Sequence, residues 1–211
     1  MTIQQQGFQL TALSIIKELS KRNIEGFFCS SSKEACDLVL SMLPDKASIG
    51  WGGSETIKEC GLMDALKGKG YELIDRATAS TPEERREIFG RTVMADAFLM
   101  STNAITENGE LVNIDGASNR LACLLHGPKE VYILVGMNKL TKDIPSAIGR
   151  IRNTACPANT LRLHRNTPCS LTGKCGDCYG DESICSNIVI TRRSSIPGRI
   201  KVILIAESLG Y

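Results

Sequence analysis

Long apolar runs are missing from this 211-residue sequence: none approaches the ~20 residues that a membrane-spanning helix needs, and Met1–Gly7 is polar, unlike a secretory leader. The expectation is a cytoplasmic protein with no membrane partner. Aromatic residues are scarce, at 5% with a single tryptophan, and they do not interleave with basic residues as a platform for single-stranded nucleic acid would require. A net charge of only +2 gives no reason to expect a nucleic-acid partner either. Also absent is a complete dinucleotide fingerprint. Gly50-Trp-Gly-Gly-Ser does not extend to G-x-G-x-x-G, so no NAD or flavin site is expected. Neither an internal repeat nor a low-complexity linker interrupts the chain.

What is present suits one α/β domain: 42% hydrophobic and 23% charged residues in a length that buries one substantial core. Charge is uneven. Residues 139–211 carry 11 Lys/Arg against five Asp/Glu, a balance of +6, while residues 1–138 balance at −4. That bias fits either a solvated basic face or an anionic ligand. Nine cysteines in a reducing compartment favour metal binding or catalysis over disulfides wherever they cluster.

Strand and helix patterns alternate along the chain. Ala12, Ile15, Ile16 and Leu19 have helical spacing, and Gly26–Cys29 is a short apolar strand. Ala35, Leu38, Val39, Met42 and Leu43 form a stripe that Pro44 stops; Cys36, off the stripe, and Cys29 read as small packing residues. Thr81-Pro82-Glu83-Glu84 has the cap, the proline and the acidic first turn of a helix start. Leu62–Lys67 continues as helix, and Tyr71–Asp75, Ala97–Ser101 and Val131–Gly136 read as strands. Asn108-Gly109, between Ala104–Thr106 and Glu110–Asn113, marks a hairpin. Helical faces follow Gly116 and, after the cap Asp143, run through Ile144, Ala147, Ile148 and Ile151. Ile188–Thr191 and Ile200–Ala206 close the chain as strands joined by a Pro197-Gly198 turn. The alternation predicts an open, largely parallel sheet with helices on both faces, whose ligands sit beyond the strands' carboxyl ends. One break stands out: a cysteine-rich segment, 155–186, inserted before the last two strands.

Ser48–Cys60 carries the first chemical signal. A strand end, the glycines Gly50, Gly52 and Gly53, the N-cap Ser54 and a helix start make a turn in which backbone N–H groups meet an anion. The same pattern also serves as a plain tight turn. Trp51 either walls such a pocket or packs in the core.

Cys169, Cys175, Cys178 and Cys185 follow one another as C-x5-C-x2-C-x6-C, with Gly173, Gly176 and Gly180 permitting tight turns. So few apolar side chains cannot order the segment by burial, and a bound metal would supply on the order of 10 kcal/mol of folding free energy. Four thiolates suit zinc or an iron–sulfur cluster. A single C-x2-C knuckle, rather than a pair, leans toward iron–sulfur, and the alternative to a metal site is a redox thiol group or an oxidation-prone loop. Cys156 is a candidate fifth member of the group, though its distance from the others favours a buried structural thiol, and His164 is a candidate substitute ligand that reads more readily as a surface residue.

Several segments together resemble the LUD (lactate-utilisation) domain family, and the cysteine segment resembles a branch of it common in anaerobes. They are Ser48–Gly61, Asn103-Ala-Ile-Thr-Glu-Asn-Gly-Glu-Leu-Val-Asn with the following Gly116, Val135-Gly-Met-Asn-Lys139, and Ile203-Leu-Ile-Ala-Glu-Ser-Leu-Gly-Tyr. The resemblance implies the fold shared by ribose-phosphate isomerases and CoA transferases. In the isomerase relatives an acidic residue before the Ala-Ile pair transfers a proton; here that position is Asn103, and an amide is no general base. The expected pocket comprises Gly52, Gly53 and Ser54, Asn103, and the helix start Gly116–Ser118. Lys139 either pairs a carboxylate or phosphate there or is a solvated lysine, and Glu207 is either the remaining candidate acid or base or a helix-capping glutamate; Asp115 and Glu107 are loop acids. The implied function is a component of lactate or related organic-acid use, binding an organic acid, a phosphate or a CoA-like anion. Any redox role needs the cysteine centre or a partner subunit. Two other readings stay open: a sugar-phosphate or acyl-CoA enzyme working through Glu207, and a non-catalytic sensor or assembly subunit with structural zinc.

Overall fold

The structure is a computed structural model that describes residues 2–211. In chain order, α1 (Ile3–Lys21) leads to β1 (Glu25–Cys29), α2 (Ser32–Met42), β2 (Ser48–Trp51), α3 (Glu55–Cys60), α4 (Leu62–Ala65) and β3 (Glu72–Ile74). Then come α5 (Pro82–Val93), β4 (Ala97–Met100), the β5–β6 pair (Ala104–Thr106, Leu111–Asp115), α6 (Asn119–Leu125) and β7 (Glu130–Gly136). The chain finishes with β8 (Leu140–Thr141), α7 (Ile144–Arg150), α8 (Cys156–Arg162), α9 (Pro168–Thr172), β9 (Asn187–Thr191) and β10 (Ile200–Ile205).

Six strands pair in the order β1-β10-β7-β4-β2-β3, every one parallel to its neighbours. A parallel sheet has to be covered on both faces. One face carries Ala12, Ile15 and Leu19 of α1 with Leu121 and Leu124 of α6; the other carries Ala35 and Val39 of α2 with Ile57 and Leu62. The open sheet with helices on both faces is as expected. From β2 the chain steps outward to the edge strand β3, then returns to β4 and proceeds the other way through β7 and β10. The order reverses between β2 and β4, and the crevice beyond their carboxyl ends is where such sheets hold ligands.

A second sheet departs from the expectation. β8, β5, β6 and β9 pair in that order, and β9 runs antiparallel to β6 (Val112↔Ile190, Ile114↔Ile188) rather than joining β10. The hairpin at Asn108-Gly109 forms as read, with Gly109 at φ +82. Two further differences have local causes. Gly61, at φ +81, ends α3 and separates it from α4. Leu125, the last residue of α6, is 57% exposed. Residues 155–162, read as irregular, are helical: α7 passes through a π turn at Ile151–Ala155 into α8. Pro157 has no N–H to return to the carbonyl four residues back, and the Cys156 N–H donates to Ile151, five back.

Arg199 fixes the far end of α6. Its buried guanidinium donates to the carbonyls of Cys123 (2.8 Å), Leu124 (2.7 Å) and Pro128 (3.0 Å), a cation at a helix carboxyl end. Among the described residues no helix is long and apolar enough to cross a membrane.

Candidate anion-binding cavity

Beyond β2 and β4 lies a cavity of about 480 Å³. Its inner wall comes from the β2–α3 turn (Gly53–Thr56), the residues after β4 (Ser101–Asn103) and the approach to α6 (Asp115–Ala117). Lys139, after β7, and Gly210, after β10, complete that side. Four strand ends therefore converge on it, as the parallel register dictates.

Lys139 is the most unusual group there. It is 3% exposed, its Nζ donates to Thr56 Oγ1 (2.6 Å) and Ser101 Oγ (3.0 Å), and among the described residues no carboxylate pairs with it. Burial, and then the charges of Arg150 and Arg120, bring its pKa down from 10.5 to about 7. Backbone packs closely against it: a Cβ on Gly210, at φ +59, would lie 2.6 Å from Thr56 Oγ1 and 3.4 Å from Lys139 Nζ.

Arg120 organises the adjacent wall. Its guanidinium donates to Asp115 Oδ2 (2.9 Å), Ser101 O (3.0 Å) and Asn103 Oδ1 (3.0 Å). Asn103 Oδ1 also accepts the Ile114 N–H (3.1 Å), and Asn103 O accepts from Arg150 (2.7 Å). An amide carbonyl committed to two donors positions other groups and takes no proton. Ser54 caps α3 by accepting from the Ile57 N–H, and the Arg76 guanidinium lies over Gly53, where an added Cβ would collide with it. The outer wall is α8 and the segment beyond it, with Asn159, Arg162, Arg165, Ile184 and the Tyr211 end. Arg162 lies 3.8 Å from Glu55, and Arg165 is 3.2 Å from Glu182.

Of the expected site residues, Gly53, Ser54, Asn103, Gly116 and Lys139 line this cavity. Gly52 is not in the lining, and a Cβ added there would sit 3.3 Å from the Arg120 stem; Ser118 is not in the lining either, and its backbone N–H donates to Asp115 Oδ1 (3.0 Å). Glu207 is a correction. Its carboxylate accepts from the Ser32 N–H (2.9 Å) and Ser32 Oγ (2.5 Å) in the first turn of α2, on the other side of the strand end. Trp51 packs against the core under α2.

Sequence reasoning missed Arg76, Arg120, Arg162 and Arg165. A signal existed for Arg120: a cation in the first turn of a helix opposes the dipole, so it needs an acid nearby, and Asp115 is five residues back. The other three meet the cavity through tertiary folding alone.

The cysteines only partly gather. Cys185 Sγ lies 3.5 Å from Cys156 Sγ, and Cys156 is itself in the cavity wall. Cys175 Sγ accepts from Arg152 Nε (3.2 Å) and the Asp177 N–H (3.5 Å). Cys169 is buried against the Thr160 and Thr167 hydroxyls, and Cys178 is half-buried. Among the described residues no three Cys, His, Asp or Glu side chains already surround a common point.

The LUD domain family model matches residues 13–205. The fold is similar to the crystal structure of a DUF162 family protein from Deinococcus radiodurans, with a TM-score of 0.56 over 94% of this chain and 98% of that one, at 12% identity. No curated protein matches. With a family match spanning nearly the whole sheet and the cavity at its strand ends, this chain belongs to the LUD domain family.

Proposed function

We propose that this LUD-domain protein serves lactate or related organic-acid utilisation by binding a small carboxylate- or phosphate-bearing molecule over Lys139. One observation carries the reading: a buried ammonium that has no acidic partner among the described residues opens onto a cavity that also receives Arg76, Arg120, Arg162 and Arg165. An unpaired buried charge is costly, and a ligand anion supplies the missing counter-charge. A cavity of about 480 Å³ is in the range that takes a small molecule, and it exceeds what lactate alone fills. That leaves room for a phosphorylated or CoA-like acid. The cysteine segment enters the same reading as a zinc or iron–sulfur centre bracing the outer wall, with a partner subunit passing electrons if the centre is redox-active.

Both carboxylates in the wall are engaged, Asp115 with Arg120 and Glu55 with Arg162. That supports a second reading, binding without turnover; if there is turnover, the neutral amine of Lys139 is the base. Titration calorimetry with L-lactate, inorganic phosphate and CoA tests the proposal. At least one should bind to the parent and fail to bind to Lys139→Met. No binding by any of the three, or equal binding by the variant, overturns it.

A further inference from the structure

From Leu171 to Glu182 only Cys175 and Cys178 are even half-buried, while Leu171 and Tyr179 are exposed at 77% and 90%. A loop ordered by burial would place its apolar residues inward and leave its polar ones outside. This one does the reverse, with sulfur in the inward positions and no helix or strand between Thr172 and Asn187.

Facing the segment is Cys156, the first residue of α8, set directly after the π turn. Its sulfur is 3.5 Å from that of Cys185. Two thiolates on one tetrahedral ion, each about 2.3 Å from it, stand roughly 3.8 Å apart. Cys175 also accepts from two N–H donors, Arg152 (3.2 Å) and Asp177 inside the C-x-x-C turn (3.5 Å).

We infer that Cys156 and Cys185 are paired ligands of a thiophilic metal centre, completed from Cys169, Cys175 and Cys178, and that this centre forms part of the cavity wall. The inference rests on the reading above that the segment carries a metal, and it changes the ligand set by adding a helix residue. Closing the set takes movement of segment 173–185. The cavity would respond, because Cys156, Ser183, Ile184 and Ser186 all line it, and the Ile184 backbone lies 3.3 Å from where a Gly116 Cβ would be. Metal occupancy and anion affinity are then linked.

The test is zinc, iron and acid-labile sulfide analysis on anaerobically purified parent, Cys156→Ser, Cys185→Ser, Cys156→His and a control in the other core, Cys36→Ser. The parent and Cys36→Ser should carry stoichiometric zinc, or iron with matching sulfide. Cys156→Ser and Cys185→Ser should each lose it by at least about tenfold, the least that even an outer-sphere change costs. Zinc, if it is the metal, should return in Cys156→His, which shows that the variant site still folds. Chelating the parent should weaken phosphate binding several-fold, whereas phosphate binding by the metal-loaded parent stands as a separate test of the cavity. Retention of full metal by Cys156→Ser overturns the inference. So does a metal-free parent, with or without a Cys156–Cys185 disulfide by mass spectrometry.

Discussion

Replacing Lys139 by methionine should stabilise the protein at neutral pH while removing its ligand. The drop in the Lys139 pKa from 10.5 to about 7 corresponds, at 1.36 kcal/mol per factor of ten, to about 5 kcal/mol of penalty on the buried ammonium. Methionine keeps the length of the stem and removes the charge. It forfeits the bonds to Thr56 and Ser101, about 1.5 kcal/mol each. Both hydroxyls still donate to a carbonyl, Thr56 to Leu209 O and Ser101 to Thr102 O. The net gain is about 2 kcal/mol at pH 6.5, or roughly 6 °C in melting temperature for a domain of this size. The unfolded chain holds this proton up to about pH 10.5 and the folded one releases it near 7, so between those values the unfolded state binds more protons. Stability of the parent then rises with pH across that window. The advantage of the variant should close by about pH 9. Differential scanning calorimetry from pH 6 to 9.5 reads both curves. A variant less stable than the parent at every pH would show that the amine is a structural strut, and the argument for a strained anchor would fail.

Other perturbations separate the parts of the site. Arg120→Ala strips the partner from half-buried Asp115 and from Asn103 Oδ1, and should cost about 3 kcal/mol by urea titration and abolish phosphate binding. Gly210→Ala places a Cβ 2.6 Å from Thr56 Oγ1 in a left-handed conformation, and should cost about 1 kcal/mol while weakening the anion site. Glu207→Ala removes an acceptor from the first turn of α2, whose N-cap is Ser31, and should lose about 1 kcal/mol with ligand binding unchanged; a lost ligand would return Glu207 to the site. Gly53→Asp should weaken anion binding, since its side chain meets the Arg76 guanidinium and puts a negative charge at the mouth.

Much of the frame could be read locally. Thr81 with Glu84 forms the capping box that its sequence announces, Asp143 and Ser54 cap the helices they precede, and Asn108-Gly109 turns the hairpin. Lys139 was placed by its position one turn past a buried strand, and Gly53 and Ser54 by the strand–glycine–helix pattern. What stayed hidden depends on neighbours distant in sequence. Strand β9 alternates as any half-exposed strand does, and nothing in that period names β6 as its partner. Helix α8 is concealed by Cys156-Pro157-Ala-Asn, a composition that looks like a loop until the π turn accommodates the proline. Glu207 follows a strand as a catalytic acid would, but sequence position does not say toward which side of the sheet edge a side chain turns. Here it turns to α2.

The central claim is that Lys139 is a buried ammonium held for an anion. NMR titration of lysine 13Cε resonances, with Lys139 assigned by its loss in Lys139→Met, follows that amine directly. The account predicts a pKa near 7 in the free protein, moving upward when phosphate or another binding anion is added. An amine that titrates in the ordinary lysine range, unmoved by anions, would contradict it.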